Sequence, residues 1–262
     1  MSHISQMLMF GSVVVALFVL ILAFLEAGRR IGIRQKERGT EISTSGHSVV
    51  DGAVFGLTGL LIAFTFSGAA SRFDARRQLI VQESNDIGTA YLRIDLLPPA
   101  AQPTLREDFR NYLDARLAFY RNLSTDPMAA QADLTRSTAL QGKIWTGAVA
   151  GCLDLKSPAV TSLVLSSIND MIDITTTRLV AIETHPPLVI YLSLFILVLA
   201  SSLMAGYGLA NARKRNWIDL LVYAAVMTAA VYVILDLEVP RLGLIRIDAA
   251  DHVLMDLRAS MK

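Results

Sequence analysis

The stretch "GLLIAFTFSGAA", Gly59–Ala70, runs straight into "SRFDARRQ", Ser71–Gln78. Twelve uncharged residues rich in Leu, Ile, Phe and Ala meet three arginines and an aspartate, and no turn signal separates them. A helix leaving a bilayer has this pattern, apolar inside the hydrocarbon and charged once it reaches the headgroups. The junction therefore predicts a membrane span that continues into water as one helix. Pro98 and Pro99 in "LLPP" stop it, because proline lacks the amide donor and biases the preceding residue away from helix. The result would be a helix of about 45 residues, or ~70 Å at the helical rise per residue.

Working outward, three further runs share this character. Met7–Leu25 carries no charge, Leu188–Ala210 is as apolar, and Trp217–Leu235 holds only Asp219 near its start. With Gly52–Ala70 they make four, each close to the ~20 residues that cross a ~30 Å hydrocarbon core. The chain as a whole agrees, with 262 residues, 53% hydrophobic and 18% charged, where soluble domains lie near a quarter charged. The leading "MSHISQ" has no Lys or Arg and no small-x-small cleavage site follows, so the first run is expected to be retained as a span. The fold class is thus an all-α membrane protein with four transmembrane helices and a long helical bundle between spans two and three. Its parts are residues 1–70 (first helix pair with a basic link), 71–186 (bundle), 187–237 (second helix pair) and 238–262 (tail).

Several function classes fall away. The net charge of +1 gives no field for nucleic acid. The single cysteine, Cys152, excludes an internal disulfide and has no histidine near it in sequence. The four histidines lack metal-ligand spacing, and no phosphate loop, HExxH or GxSxG pattern occurs. No catalytic residue, metal or cofactor is expected, and the chain does not read as an enzyme.

Charge sets an orientation. The link after span one carries Arg29, Arg30, Arg34, Lys36 and Arg38, and the link after span three carries Arg213, Lys214 and Arg215. Short basic links stay in the cytoplasm. Both termini and the 71–186 segment would then face the other side, although Arg72, Arg76 and Arg77 reduce the bias.

The 71–186 segment is nearly neutral and helical throughout. Thr104 and Glu107 form a capping-box pattern after Pro103, and Leu105, Phe109, Leu113 and Tyr120 mark one apolar stripe. Asp126–Pro127 and Ser157–Pro158 each pair a capping residue with proline at the first helical position. Val164, Ile168, Met171, Leu179 and Ile182 mark a second stripe before "THPP".

Span two holds the candidate functional residues. Gly52, Gly56, Gly59, Ala63 and Ser67 recur at three- and four-residue steps, a face that lets helices approach closely in lipid. Its partner is either another span of the same chain or another subunit. Arg72, Asp74, Arg76 and Arg77 either anchor and pair the emerging helix, Asp74 with Arg77 three residues on, or surround a pore mouth in an oligomer. Arg72, Arg76, Glu83 and Asp86 fall near one helical face. Asp51, Asp219 and Asp236 lie near span ends, where a carboxylate reaches the interface at little cost.

Three stretches carry a resemblance: "SRFDARRQLIVQESNDIGTAYLR", "THPPLVIY" at the start of span three, and "LDLEVPRLGLIRID" after span four. Together with the four-span layout, the chain resembles bacterial membrane proteins with a bestrophin-like domain, a group similar to the bestrophin anion channels. The resemblance implies a homopentamer in the bacterial inner membrane, with a central anion pore for an ion such as chloride, lined by span two. It places a narrow neck of apolar side chains at Gly56, Leu60 and Phe64, of which Gly56 departs from the pattern. It aligns Glu238, Pro240 and Gly243 with the motif after span four. Asp248 and Asp251 do not match the spacing of the calcium clasp, so calcium control is not expected. Bestrophins keep their termini and long segment in the cytoplasm, whereas the short-link charges here place them opposite. The alternative to a channel is a non-conducting membrane sensor or scaffold acting through the 71–186 helices.

Overall fold

The computed structural model describes residues 3–38, 44–211, 217–239 and 243–261. Arg213, Lys214, Arg215 and Pro240 lie outside them. The chain is an all-α membrane protein. Its helices are α1 (His3–Glu37), α2 (Thr44–Arg93), α3 (Gln102–Asn122), α4 (Pro127–Leu153), α5 (Pro158–Glu183), α6 (Leu188–Gly208), α7 (Trp217–Glu238) and α8 (Asp248–Ser260). Four helical stretches are long and apolar enough to cross a membrane, in α1, α2, α5–α6 and α7. The chain divides into two units, one of residues 4–71 and 185–239, the other chiefly of residues 72–184 and 240–262.

The apolar runs understate the helices. α1 continues through Arg29, Arg30, Arg34 and Lys36, because no proline interrupts the run and Arg and Lys favour helix. Its Glu26 accepts from Arg30 Nε at 2.9 Å, one turn on. α2 is a single helix of 50 residues. It closes in a 3₁₀ turn at Ile94–Leu96, just ahead of the two prolines.

In the first unit α1 and α6 cross at almost no distance. A Cβ placed on Gly28 would lie 1.9 Å from the Leu203 carbonyl oxygen, and one on Gly206 would lie 1.9 Å from the Leu25 carbonyl oxygen. Gly32 follows one turn on, where a Cβ would come within 2.5 Å of Ala210 Cβ. Without Cβ atoms the two backbones touch, and in lipid such packing is what drives association. Tyr207 donates to Gln35 at 2.8 Å beyond the crossing. Thr58 of α2 is fully buried and donates to its own Val54 carbonyl at 2.7 Å, with the α6 Leu197 carbonyl at 3.5 Å. Tyr223 of α7 donates to Ser201 of α6 at 3.0 Å. Val15, Val19, Ile196, Ile218 and Val226 remain exposed, as side chains that face acyl chains must.

The second unit is a helical bundle with its own core. Both sequence stripes point inward: Leu105, Phe109, Leu113 and Tyr120 from α3, and Val164, Ile168 and Met171 from α5 are buried, with Leu179 and Ile182 packed at the edge. Asp126 caps α4, accepting from the Met128 and Ala129 amides at 3.1 Å each. Two expected caps are absent. α3 starts at Gln102 and its N-cap, Ala101, has no side chain to offer, so Thr104 lies inside the first turn. Gln102 instead donates back to the Leu97 carbonyl at 2.8 Å, and Glu107 pairs with Arg110 at 3.0 Å. Ser157 occupies the N-cap of α5 without a side-chain hydrogen bond. α8 docks on the bundle through buried Leu254 and Met261. Its Arg258 grips Asp114 with Nε at 2.8 Å and Nη2 at 3.0 Å.

Candidate functional site

The span-two residues sort by face. Nothing lies within 4 Å of a Cβ built on Gly52, Gly56 or Gly59, and Ala63 and Ser67 are exposed. Among the described residues the small-residue face therefore packs on no other span; close helix approach falls to Gly28, Gly32 and Gly206. Leu60 and Phe64 project from the same open side, 51% and 67% exposed. Five small residues and two large apolar ones thus share a helix surface that the chain itself leaves uncovered, while Thr58 and Ala69 on the opposite side are buried.

The arginines after the span do not act as a group. Arg76 turns inward, 7% exposed, and donates from Nε to the Ala181 carbonyl at 3.0 Å and from Nη2 to the Thr184 carbonyl at 2.9 Å. These are carbonyls of the last turn of α5, which has no further amides to satisfy them, and a cation there also meets the negative end of the helix dipole. Arg76 caps the C-terminal end of α5. Arg77 stays out, 3.7 Å from Asp74 and over the Phe73 ring. Arg72 is half-buried. On the outward side Asp74 is the acidic group, followed by exposed Gln78, Gln82, Asn85 and Thr89. Arg76→Gln is expected to lower stability by about 1.5–3 kcal/mol, the worth of hydrogen bonds to a charged donor. Denaturant unfolding of the full chain in detergent measures it.

Near the end of span four, Asp236 is fully buried, and accepts from Tyr232 one turn back at 3.4 Å. Its side of α7 is the packed side that also buries Val231 and Ile234. Glu238 is buried too, with His185 Nδ1 3.6 Å from its Oε2. Gly243 is partly exposed. Among the described residues no cluster of His, Cys, Asp and Glu is placed to hold a metal.

The densest chemistry lies in the bundle core. Glu83 of α2 is fully buried between Arg116 of α3 and Arg178 of α5. Arg116 Nε donates to Glu83 Oε1 at 2.7 Å, Arg178 Nη1 donates to Oε2, and the Tyr120 hydroxyl donates to Oε2 at 3.0 Å. Arg116 Nη2 in turn reaches the Tyr120 oxygen. Both guanidiniums lie over the Tyr120 ring, at 4.8 Å for Arg116 and 3.8 Å for Arg178. A second buried network sits alongside, with Gln141 Nε2 donating to the Tyr112 hydroxyl at 3.3 Å and to Thr175 Oγ1 at 3.0 Å. The sequence carried one signal of this. Arg116 stands three residues after Leu113 and four before Tyr120, within the apolar stripe rather than beside it.

A family model for the bestrophin-like domain matches residues 13–251. Among solved structures, a point mutant of a bacterial bestrophin homolog from Klebsiella pneumoniae superposes with a TM-score of 0.68 at 12% identity, covering 94% of this chain and 99% of that one. A second mutant of that homolog gives 0.66 at 14% identity, over 93% and 98% of the two chains. No curated protein matches. At such identity the structures speak for the fold; the family match spans nearly the whole sequence, from inside the first span to the start of α8. On that match, the chain is a multi-pass membrane protein of the bestrophin-like family.

Proposed function

We propose that copies of this chain, five by likeness to the family, assemble around an axis with α2 facing it, and that the assembly is an ion channel. The observation that supports this most is the uncovered face of span two. A lone membrane helix exposes its small residues to lipid without benefit, whereas a neighbouring subunit can pack closely against Gly52, Gly56 and Gly59. Leu60 and Phe64 then form a constriction that resists ions by the cost of drying them. The family likeness favours a small anion such as chloride. Arg76 is committed to α5, so the arginines left to face the mouth are Arg72 and Arg77, the latter beside Asp74. The basic residues in the last turns of α1 support placement of the short links in the cytoplasm of the bacterial cell, with the bundle and termini in the periplasm.

Flux through reconstituted vesicles tests the proposal. Phe64→Ala widens the constriction and is expected to raise ion flux several-fold over the unaltered protein. Silence of both proteins to small anions and small cations alike would exclude conduction.

A further inference from the structure

The cluster around Glu83 has more donors than acceptors. The two carboxylate oxygens already receive Arg116, Arg178 and Tyr120. Nη1 of Arg116 is buried with no hydrogen-bond partner, on a side chain that is 0% exposed. One turn before it on α3, the Tyr112 hydroxyl lies 3.2 Å from Thr175 Oγ1 and accepts from Gln141 Nε2 at 3.3 Å, so the unmet donor is on Arg116. Charge is out of balance in the same direction: two guanidiniums enclose one carboxylate. Neither tyrosine supplies the missing negative charge. Burial, and then the charge of Glu83, push the Tyr120 phenol far above its ordinary range, and burial raises Tyr112.

We propose that a monovalent anion of the halide class binds inside the bundle, against Nη1 of Arg116 and within reach of the Tyr112 hydroxyl. A buried charge needs a counter-charge as well as a hydrogen bond. A water molecule satisfies the orphaned N–H groups but leaves the excess charge. A divalent anion would overshoot it. A single negative charge meets both demands. This inference does not rest on conduction, because all its residues belong to the bundle and not to the spans.

The test uses the full chain in mild detergent with bromide replacing chloride. Crystals measured at the bromine edge are expected to show an anomalous peak within hydrogen-bonding reach of Arg116 Nη1. Thermal unfolding should shift upward in bromide or chloride relative to gluconate at equal ionic strength, and Arg116→Gln should abolish that shift. An ordered Arg116 with no peak beside it overturns the proposal, as does an equal midpoint in the two salts or a halide shift that survives Arg116→Gln. If Arg116→Gln does not fold, the bromide map of the unaltered protein decides.

Discussion

Glu83→Gln is expected to destabilise the bundle by about 3–5 kcal/mol, the cost of breaking a buried ion pair from one side. The carboxylate lies between two guanidiniums that are 0% and 5% exposed. The amide keeps the shape but removes the carboxylate charge that pairs with both Arg116 and Arg178, and its NH2 group turns further donors towards them. Much of the loss is therefore the cost of two stranded cations and not the worth of the bonds removed. A second variant separates these. Glu83→Leu with Arg116→Met and Arg178→Met removes the whole cluster and should regain most of the stability, since apolar groups of similar volume often replace such a cluster without loss. Chemical unfolding monitored on the full chain gives both numbers. A Glu83→Gln loss below about 1 kcal/mol would mean that water screens the cluster as it screens surface pairs.

The second large effect is at the α1–α6 crossing. Gly206→Val is expected to cost about 3 kcal/mol, at the upper end of what overpacking does in a close-packed interior. A Cβ there would sit 1.9 Å from the Leu25 carbonyl oxygen and 2.8 Å from the Leu25 Cα. These are backbone atoms, so no rotamer change relieves the clash; the helices must separate and lose contact along the whole crossing. Gly28→Val should behave alike, since Leu203 opposes it as closely. The contrast is with span two. Gly52→Ala, Gly56→Ala and Gly59→Ala meet open space within the chain and should not harm the fold of one copy. They should act on assembly instead. Unfolding and oligomer mass measured on the same variants read the two effects separately.

The two glycine sets show what the sequence discloses. Both follow the small-xxx-small pattern, Gly28 with Gly32 and Gly52 with Gly56. Sequence alone draws attention to the second because it lies inside an apolar run, whereas Gly28 and Gly32 flank two arginines that look like the end of a span. Yet α1 extends past its apolar run, and the pair set against Leu203, Tyr207 and Ala210 is the one that packs. The four spans, the two apolar stripes and the Asp126 cap were legible because each depends on spacing within one helix. The Asp74–Arg77 pair, three residues apart, was legible for the same reason. The Glu83 cluster was not. Its partners stand 33 and 95 residues away, and a charged residue near a stripe is ordinarily read as a solvated one. Arg76 shows the same limit, as its role depends on where α5 ends, more than a hundred residues later.

In the proposed assembly the uncovered face of α2 lines a conduction path. Phe64→Cys in reconstituted vesicles, treated with a charged, water-soluble thiol reagent, tests it most directly, because the native Cys152 is buried. Ile196→Cys, on an exposed position of α6, serves as the lipid-facing control. The reagent is expected to change ion flux sharply at Phe64→Cys and to leave Ile196→Cys unaffected. Flux that is unchanged by modification of Phe64→Cys, or equally changed in both variants, would contradict it.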